Sequence, residues 1–178
     1  MKNTLIALVF ITTSAAVSAE NLKSDNYKDG FSVLGGYSVA SGDLADLPYA
    51  ETGSFALGLD YTFREGFIVG TVFTPDYFSN EVGAYGVAIS EEIAAVDVYG
   101  GYEFDNGLRL TGGVSMGLYD GVANVGGITG AYSETMPGFN VGVGYNYKHL
   151  VADIRFSSLA GDYVLSGTNT TLMVGYQF

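Results

Sequence analysis

The 178-residue chain has no cysteine and no tryptophan, a single histidine, three prolines, and only seven basic residues against nineteen acidic ones. Each shortage excludes something. Without cysteine there is no disulfide, so packing or a membrane must hold an exported domain together. With so few bases a nucleic-acid partner is excluded, because that binding needs a cationic surface. A long apolar run is also missing, although 48% of the residues are hydrophobic. The apolar residues fall instead on every second position, as in strands.

The first nineteen residues read as a secretory signal. Lys2 gives a positive start, Leu5 to Ile11 a short apolar core, and Val17-Ser18-Ala19 a small-residue cleavage site, with cleavage expected after Ala19. The apolar core is too short for a spanning helix, which needs roughly 20 residues. No cysteine follows it, so no lipid-modified terminus is expected. Removing Lys2 with the signal leaves six basic and nineteen acidic residues, a net charge of −13. Residues 20–30 read as a short periplasmic arm and 31–178 as one domain.

What is present is alternation. Eight segments place aromatic and branched residues on one face and small or polar residues on the other. The first carries Phe31, Val33, Tyr37 and Val39 against Ser32 and Ser38; the second, Phe55 to Phe63 against Gly58 and Asp60. The third carries Phe67, Val69 and Phe73; the fourth, Val96, Val98, Tyr102 and Phe104 against Asp97, Tyr99 and Glu103. The fifth sets Leu110, Val114 and Met116 against Arg109 and Ser115; the sixth, Phe139 to Tyr147 against Asn140 and Gly144. The seventh sets Ile154 and Phe156 against Asp153 and Arg155; the eighth, Leu172, Val174, Tyr176 and Phe178 against Thr171 and Gln177.

Each segment approaches the 9–11 residues of a tilted membrane-crossing strand. Pro48, Pro75 and Pro137 are expected in loops or at an edge. Tight connections (Arg64-Glu65-Gly66, Asp105-Asn106-Gly107, Lys148-His149) alternate with long polar ones, Ala40–Thr52, Pro75–Glu92, Asp120–Met136 and Ala160–Asn169. Short periplasmic turns and long external loops mark outer-membrane barrels. The expected fold is all-β: a transmembrane, antiparallel, up-and-down barrel of eight strands. Its register pairs Tyr61 with Val69, Val98 with Val114 and Val143 with Ile154, keeping all faces in phase.

A soluble barrel would need charged residues on its water-facing side. The polar face here is mostly Gly, Ser, Ala and Asn, which suits a narrow interior, while lipid accepts the opposite face. Tyr61, Phe63, Phe67, Tyr102, Phe104, Tyr145, Tyr147, Tyr176 and Phe178 gather near the tight turns as an aromatic girdle. The alternation Leu172, Val174, Tyr176, Phe178 resembles the terminal signal by which the barrel-assembly machinery recognises outer-membrane proteins. The chain from there back to the arm resembles the OmpX/OmpA-transmembrane-domain class of small eight-stranded barrels. That resemblance implies an outer-membrane location among lipid and lipopolysaccharide. With Phe178 last, no peptidoglycan-binding domain is expected.

Inward charges form one constellation. Glu103 stands opposite Arg109, Asp153 faces Gly144, and Arg155 faces Gly142; Asp60 lies at similar height and Asp97 higher. They form either a neutralised polar plug or an ion path. Catalysis is poorly supported, since His149 sits in a turn without a Ser or acidic partner. No phosphate loop or calcium-loop spacing is present, and no cofactor is expected.

The long loops hold ten carboxylates and no Lys or Arg. Asp43, Asp46, Glu51, Glu91 and Glu92 are expected off the strands, in loops that attract divalent cations or cationic peptides. The expectation is therefore a non-enzymatic outer-membrane barrel displaying acidic loops, for envelope integrity or surface interaction. The alternative is a narrow porin-like channel for ions or small solutes.

Overall fold

The computed structural model describes residues 29–42, 50–84, 87–160 and 167–178. The expected signal peptide and most of the N-terminal arm lie outside the described residues, as do Asp43, Asp46 and Asp162.

In chain order the strands are β1 (Gly30–Gly42), β2 (Ala50–Glu51), β3 (Gly53–Thr62), β4 (Phe67–Ala84), β5 (Val87–Glu103), β6 (Leu108–Val125), β7 (Ile128–Tyr147), β8 (Leu150–Leu159) and β9 (Gly167–Gln177). The two-residue β2 lies on β4, separated from β3 by Thr52 alone, so the wall has eight staves. Every pairing is antiparallel, and β9 returns to pair with β1. Closure removes the sheet edges, whose unpaired N–H and C=O groups a bilayer interior cannot satisfy.

The three expected registers are found: Tyr61 opposite Val69, Val98 opposite Val114, and Val143 opposite Ile154. Tight turns fix them. In two, the Phe63 and Phe104 amides donate to the Phe67 and Leu108 carbonyls, and Gly66 and Gly107 take φ of 93° and 86°. Those angles favour a residue without a Cβ. Lys148 takes φ 60° in the third.

Side chains sort by face. The outward set, from Phe31 and Val33 to Val174 and Phe178, is exposed, whereas Ser32, Asp60, Glu103, Arg109, Asn140, Arg155 and Gln177 are buried inside. On β6 the outward positions run apolar or glycine from Leu108 to Leu118, and the first charge is Asp120, opposite Glu92. At about 3.3 Å per residue and a tilt near 40°, that stretch covers roughly 25 Å, the height of a lipid-facing band.

Above that height the structure departs from the sequence reading. The stretches 75–92 and 120–136 are mostly strand rather than loop: β4 to β7 continue past the band, and β6 and β7 meet in a turn at Gly126-Gly127, with φ of 60° and 86°. Alternation of hydrophobicity fades there because both faces meet water, while the backbone ladder persists. Glu91 and Glu92 therefore lie on β5 and Glu51 on β2, not in loops.

Two prolines also lie within strands. Pro75 sits in an irregularity where residues 75–77 stand against Ala94 alone. Pro137 accepts a hydrogen bond from the Ala160 amide, 3.0 Å. Its nitrogen points the same way, toward the place where β8 has ended, so the missing N–H costs the ladder nothing.

Candidate functional site: a charged lumen beneath an acidic rim

Every stave sends buried side chains into the barrel body, from Ser32 and Asp60 on β1 and β3 to Arg155 and Gln177 on β8 and β9. At the tight-turn end Arg109 reaches from β6 across the lumen. Its Nη2 donates to Asp60 Oδ2 at 2.8 Å and its Nε lies 3.5 Å from Glu103 Oε2. The sequence placed Glu103 opposite Arg109, and the register agrees. The shorter contact nevertheless goes to Asp60, because a long side chain in a narrow lumen spans to the facing wall. Asn146 donates to Glu103 at 3.2 Å and also to Gln177. Tyr99 donates to Asp60 at 3.2 Å.

One layer up, Arg155 Nη1 donates to Asn140 Oδ1 at 2.9 Å, and its Cζ sits 3.6 Å from the Tyr99 ring centre. Its contact with Asp153 is longer, 3.5 Å. A Cβ on Gly144 would meet Asp153 Oδ2 at 2.9 Å, so that glycine makes room for the carboxylate; one on Gly142 would collide with Thr111 Oγ1 at 2.5 Å and meet the Arg155 guanidinium only at an ordinary 3.4 Å. Asp97 has no arginine; it accepts from Ser115 at 2.5 Å and Ser157 at 2.8 Å.

Among the described residues the buried carboxylates of this lumen are Asp60, Asp97, Glu103 and Asp153, and the buried guanidiniums are Arg109 and Arg155. Such groups stay buried only because hydrogen bonds replace lost water. Higher still, Ala40, Ile93, Ala95, Tyr119, Met136 and Leu159 pack as an apolar cap.

Sequence reading missed the roles of Tyr99, Asn140, Asn146 and Gln177. The available signal was residue size and amide content on a face otherwise made of glycine and serine. A Cβ on Gly70 would meet both Asp60 and the Tyr99 ring at 2.6 Å, so Gly70 opens the space that lets them touch.

The rim begins where the cap ends. Tyr119 donates to Glu91 at 2.8 Å. Glu92 stands directly opposite Asp120, which accepts from Ser133 at 2.7 Å, and Glu134 stands opposite Tyr119 and accepts from Tyr132 at 3.0 Å. Four carboxylates therefore share one height on three adjoining strands. Like charges directly opposite each other are destabilising without a counter-charge.

At the other end the aromatic girdle forms edge-on contacts: Tyr61–Phe63, Phe67–Tyr102, Tyr102–Phe104 and Tyr176–Phe178, with centroids 5.0 to 5.6 Å apart. His149 stacks on Tyr176 at 5.3 Å, and its Nδ1 lies 2.8 Å from the Gln177 carbonyl. The terminal residues Leu172, Val174, Tyr176 and Phe178 alternate outward on β9 and beyond it.

No protein-family model matches the chain, and no curated protein matches its sequence. Solved structures do. Ail, the attachment invasion locus protein of Yersinia pestis, superposes with a TM-score of 0.69 at 18% identity, covering 85% of this chain and 100% of Ail. Ail in complex with the heparin analogue sucrose octasulfate gives 0.69 at 19%, with the same coverage. The outer-membrane protein OprG of Pseudomonas aeruginosa gives 0.52 at 13%, covering 86% and 98%. These likenesses join the closed eight-stave wall and its lipid-facing exterior to one conclusion: the chain has the fold of the small eight-stranded outer-membrane β-barrels.

Proposed function

We propose that the protein is a non-enzymatic outer-membrane barrel whose filled body holds an acidic sheet above the outer leaflet. There it engages divalent cations and cationic partners at the lipopolysaccharide surface, serving envelope integrity or surface interaction. The observation that carries this reading is the cluster Glu91, Glu92, Asp120 and Glu134 on β5 to β7. Glu92 and Asp120 face each other on the outer face where the apolar band stops. A cation between carboxylates and lipid phosphates at that height relieves their repulsion.

The sign of this rim differs from what a polysulfated ligand such as the one held by Ail needs, so a heparin-like partner is not part of the proposal. The channel alternative gains no support from the lumen, where Arg109, Arg155, Leu34, Ile68, Ile93, Met136 and Leu159 are all fully buried.

The test is a variant with Glu91, Glu92 and Glu134 changed to Gln and Asp120 to Asn. Gln keeps an acceptor for the Tyr119 and Tyr132 hydroxyls, so the sheet should persist. Calcium and cationic-peptide binding to cells displaying this variant should fall, and the parent's binding should weaken with monovalent salt as screening shortens toward about 8 Å. Equal binding by parent and variant would reduce the rim to simple solubility.

The terminal alternation belongs to the same proposal as its assembly signal. Deleting Phe178 removes one side chain from the girdle, yet membrane insertion in cells should drop sharply. Insertion at the parent's level would contradict that role.

A further inference from the structure

The faces of the projecting sheet are inverted relative to the barrel beneath it. The ladders of β5 with β6 and of β6 with β7 run on without a shift, so alternate residues keep the side they have in the body. Ile93, Tyr119 and Met136 face the lumen in the apolar cap. Beyond them the same inner side carries three rows. Glu91, Gly121 and Tyr132 stand nearest the cap, then Ile89, Ala123 and Gly130, and at the tip Val87, Val125 and Ile128.

The outer side at this height is polar or small. It carries Ala88, Ser90, Asn124, Thr129 and Ala131, with Val122 as the one large apolar residue among the described residues of β5 to β7. The inner apolar side chains are nevertheless exposed, from 37% at Val87 to 79% at Ile128. They stand above Glu92 and Asp120, where the apolar band stops, so the bilayer does not cover them. An antiparallel sheet in water commonly packs its apolar face and solvates the other. A contiguous apolar patch left open marks an interaction site.

Charge selects the occupant. Glu91 and Glu134 stand at the foot of the patch, on its two flanking strands, and accept from Tyr119 and Tyr132. Residues 65–147 contain no Lys or Arg apart from Arg109, deep in the lumen. A second copy of the chain would set these carboxylates against their own kind, and a fatty acid would add another negative charge. A partner with bases beside its apolar side chains meets both features.

Shape sets its size. Two strand spacings and four residues give a seat of about 10 Å by 13 Å. That matches two to three turns of one helix, about 10 Å across. A Cβ on Gly130 would have nothing within 4 Å, so a shallow hollow opens between Ile128 and Tyr132 for one side chain.

We propose that the inner face of the projection docks an amphipathic, cationic peptide segment. Its apolar side lies over Val87, Ile89, Val125 and Ile128, and its bases reach toward Glu91 and Glu134. The inference rests on the acidic-rim reading and narrows the cationic partner to one class.

The experiment uses the protein refolded into nanodiscs of zwitterionic lipid, with empty discs as the baseline. The probe is a Lys/Leu helix of about eleven residues, or three turns, with one Trp on its apolar side. The protein has no Trp of its own, so emission reports the probe alone. Emission should shift to the blue saturably. The triple variant Ile89→Thr, Val125→Thr, Ile128→Thr keeps all four rim carboxylates and the branched residues a strand favours. It should bind the probe about tenfold more weakly or worse, while calcium binding stays at the parent's level.

Equal binding of the probe by parent and triple variant would overturn the proposal and leave the acidic rim standing as a charge effect. Should the triple variant fail to fold, the unmodified protein decides with a second probe whose leucines are serines. Loss of binding by that probe supports the apolar seat, and equal binding overturns it. Pairing of protein-bearing discs that the first probe does not compete would make the occupant a second copy and also overturn the proposal. If neutralising Glu91, Glu92, Asp120 and Glu134 changes neither calcium nor probe binding, the rim reading fails, and this inference with it.

Discussion

The sheet that projects from the barrel continues four of the eight staves of its wall, β4 to β7, yet the two regions are held in different ways. In the body, every strand has a neighbour on both sides, lipid on one face and a packed interior on the other. In the projection, β7 has lost β8: the β7–β8 ladder starts only at Gly138, whereas the β6–β7 ladder runs on to Ile128. Residues 128–133 are exposed on both faces. The contrast shows that a ladder and a tight Gly-Gly turn suffice to extend a strand once a rigid wall has set its register. It also separates the regions by their chemistry, burial of charge below and display of charge above.

Changes in the body should therefore cost more than changes in the projection, and four substitutions at three places test this in descending order. Arg109→Ala removes a guanidinium that both Asp60 and Glu103 contact. Removing one partner of a buried pair costs about 3–5 kcal/mol, so the urea midpoint should fall far below the parent's. A midpoint close to the parent's would mean the lumen network carries little of the stability.

Gly70→Val comes next. Its Cβ would collide with Asp60 and Tyr99 at 2.6 Å, and overpacking typically costs about 1–3 kcal/mol. Urea unfolding measures this too, and an unchanged midpoint would show that the Tyr99–Asp60 contact yields without penalty.

The smallest effect is expected at the tip. Gly126→Ala and Gly127→Ala each force a side chain into positive φ but meet nothing within 4 Å. The strain, about 1 kcal/mol, should appear as faster amide exchange across 120–134 with no change in global unfolding. A loss of barrel stability would mean that the projection and the body fold as one unit.

These expectations also show what the sequence could carry. The wall was legible because lipid outside and a narrow lumen inside impose period-two alternation on every strand, from Phe31 against Ser32 to Phe178 against Gln177. Register was legible at the tight turns for the same reason, since a slip by one residue would exchange the faces.

The projection was not legible. At Glu91, Glu92 and Ser133 both faces meet water, so polar strand and polar loop read alike. The lumen was legible only as a set of residues. Register placed Glu103 opposite Arg109, but the reach of Arg109 to Asp60 on the far wall depends on lumen width, which no local pattern encodes. Tyr99 was placed inward by alternation, while its position beneath Arg155 follows from curvature that only the closed barrel reveals.

The central claim is that the body is a filled scaffold and that the protein's work lies at its acidic rim. Planar-bilayer conductance of the refolded, unmodified chain tests it most directly. The account predicts no steady current above the bare-bilayer level, with or without divalent cations, because the paired lumen layers and the apolar cap block the path. A large, steady ion current through the unmodified protein would contradict it and make the lumen, not the rim, the seat of function.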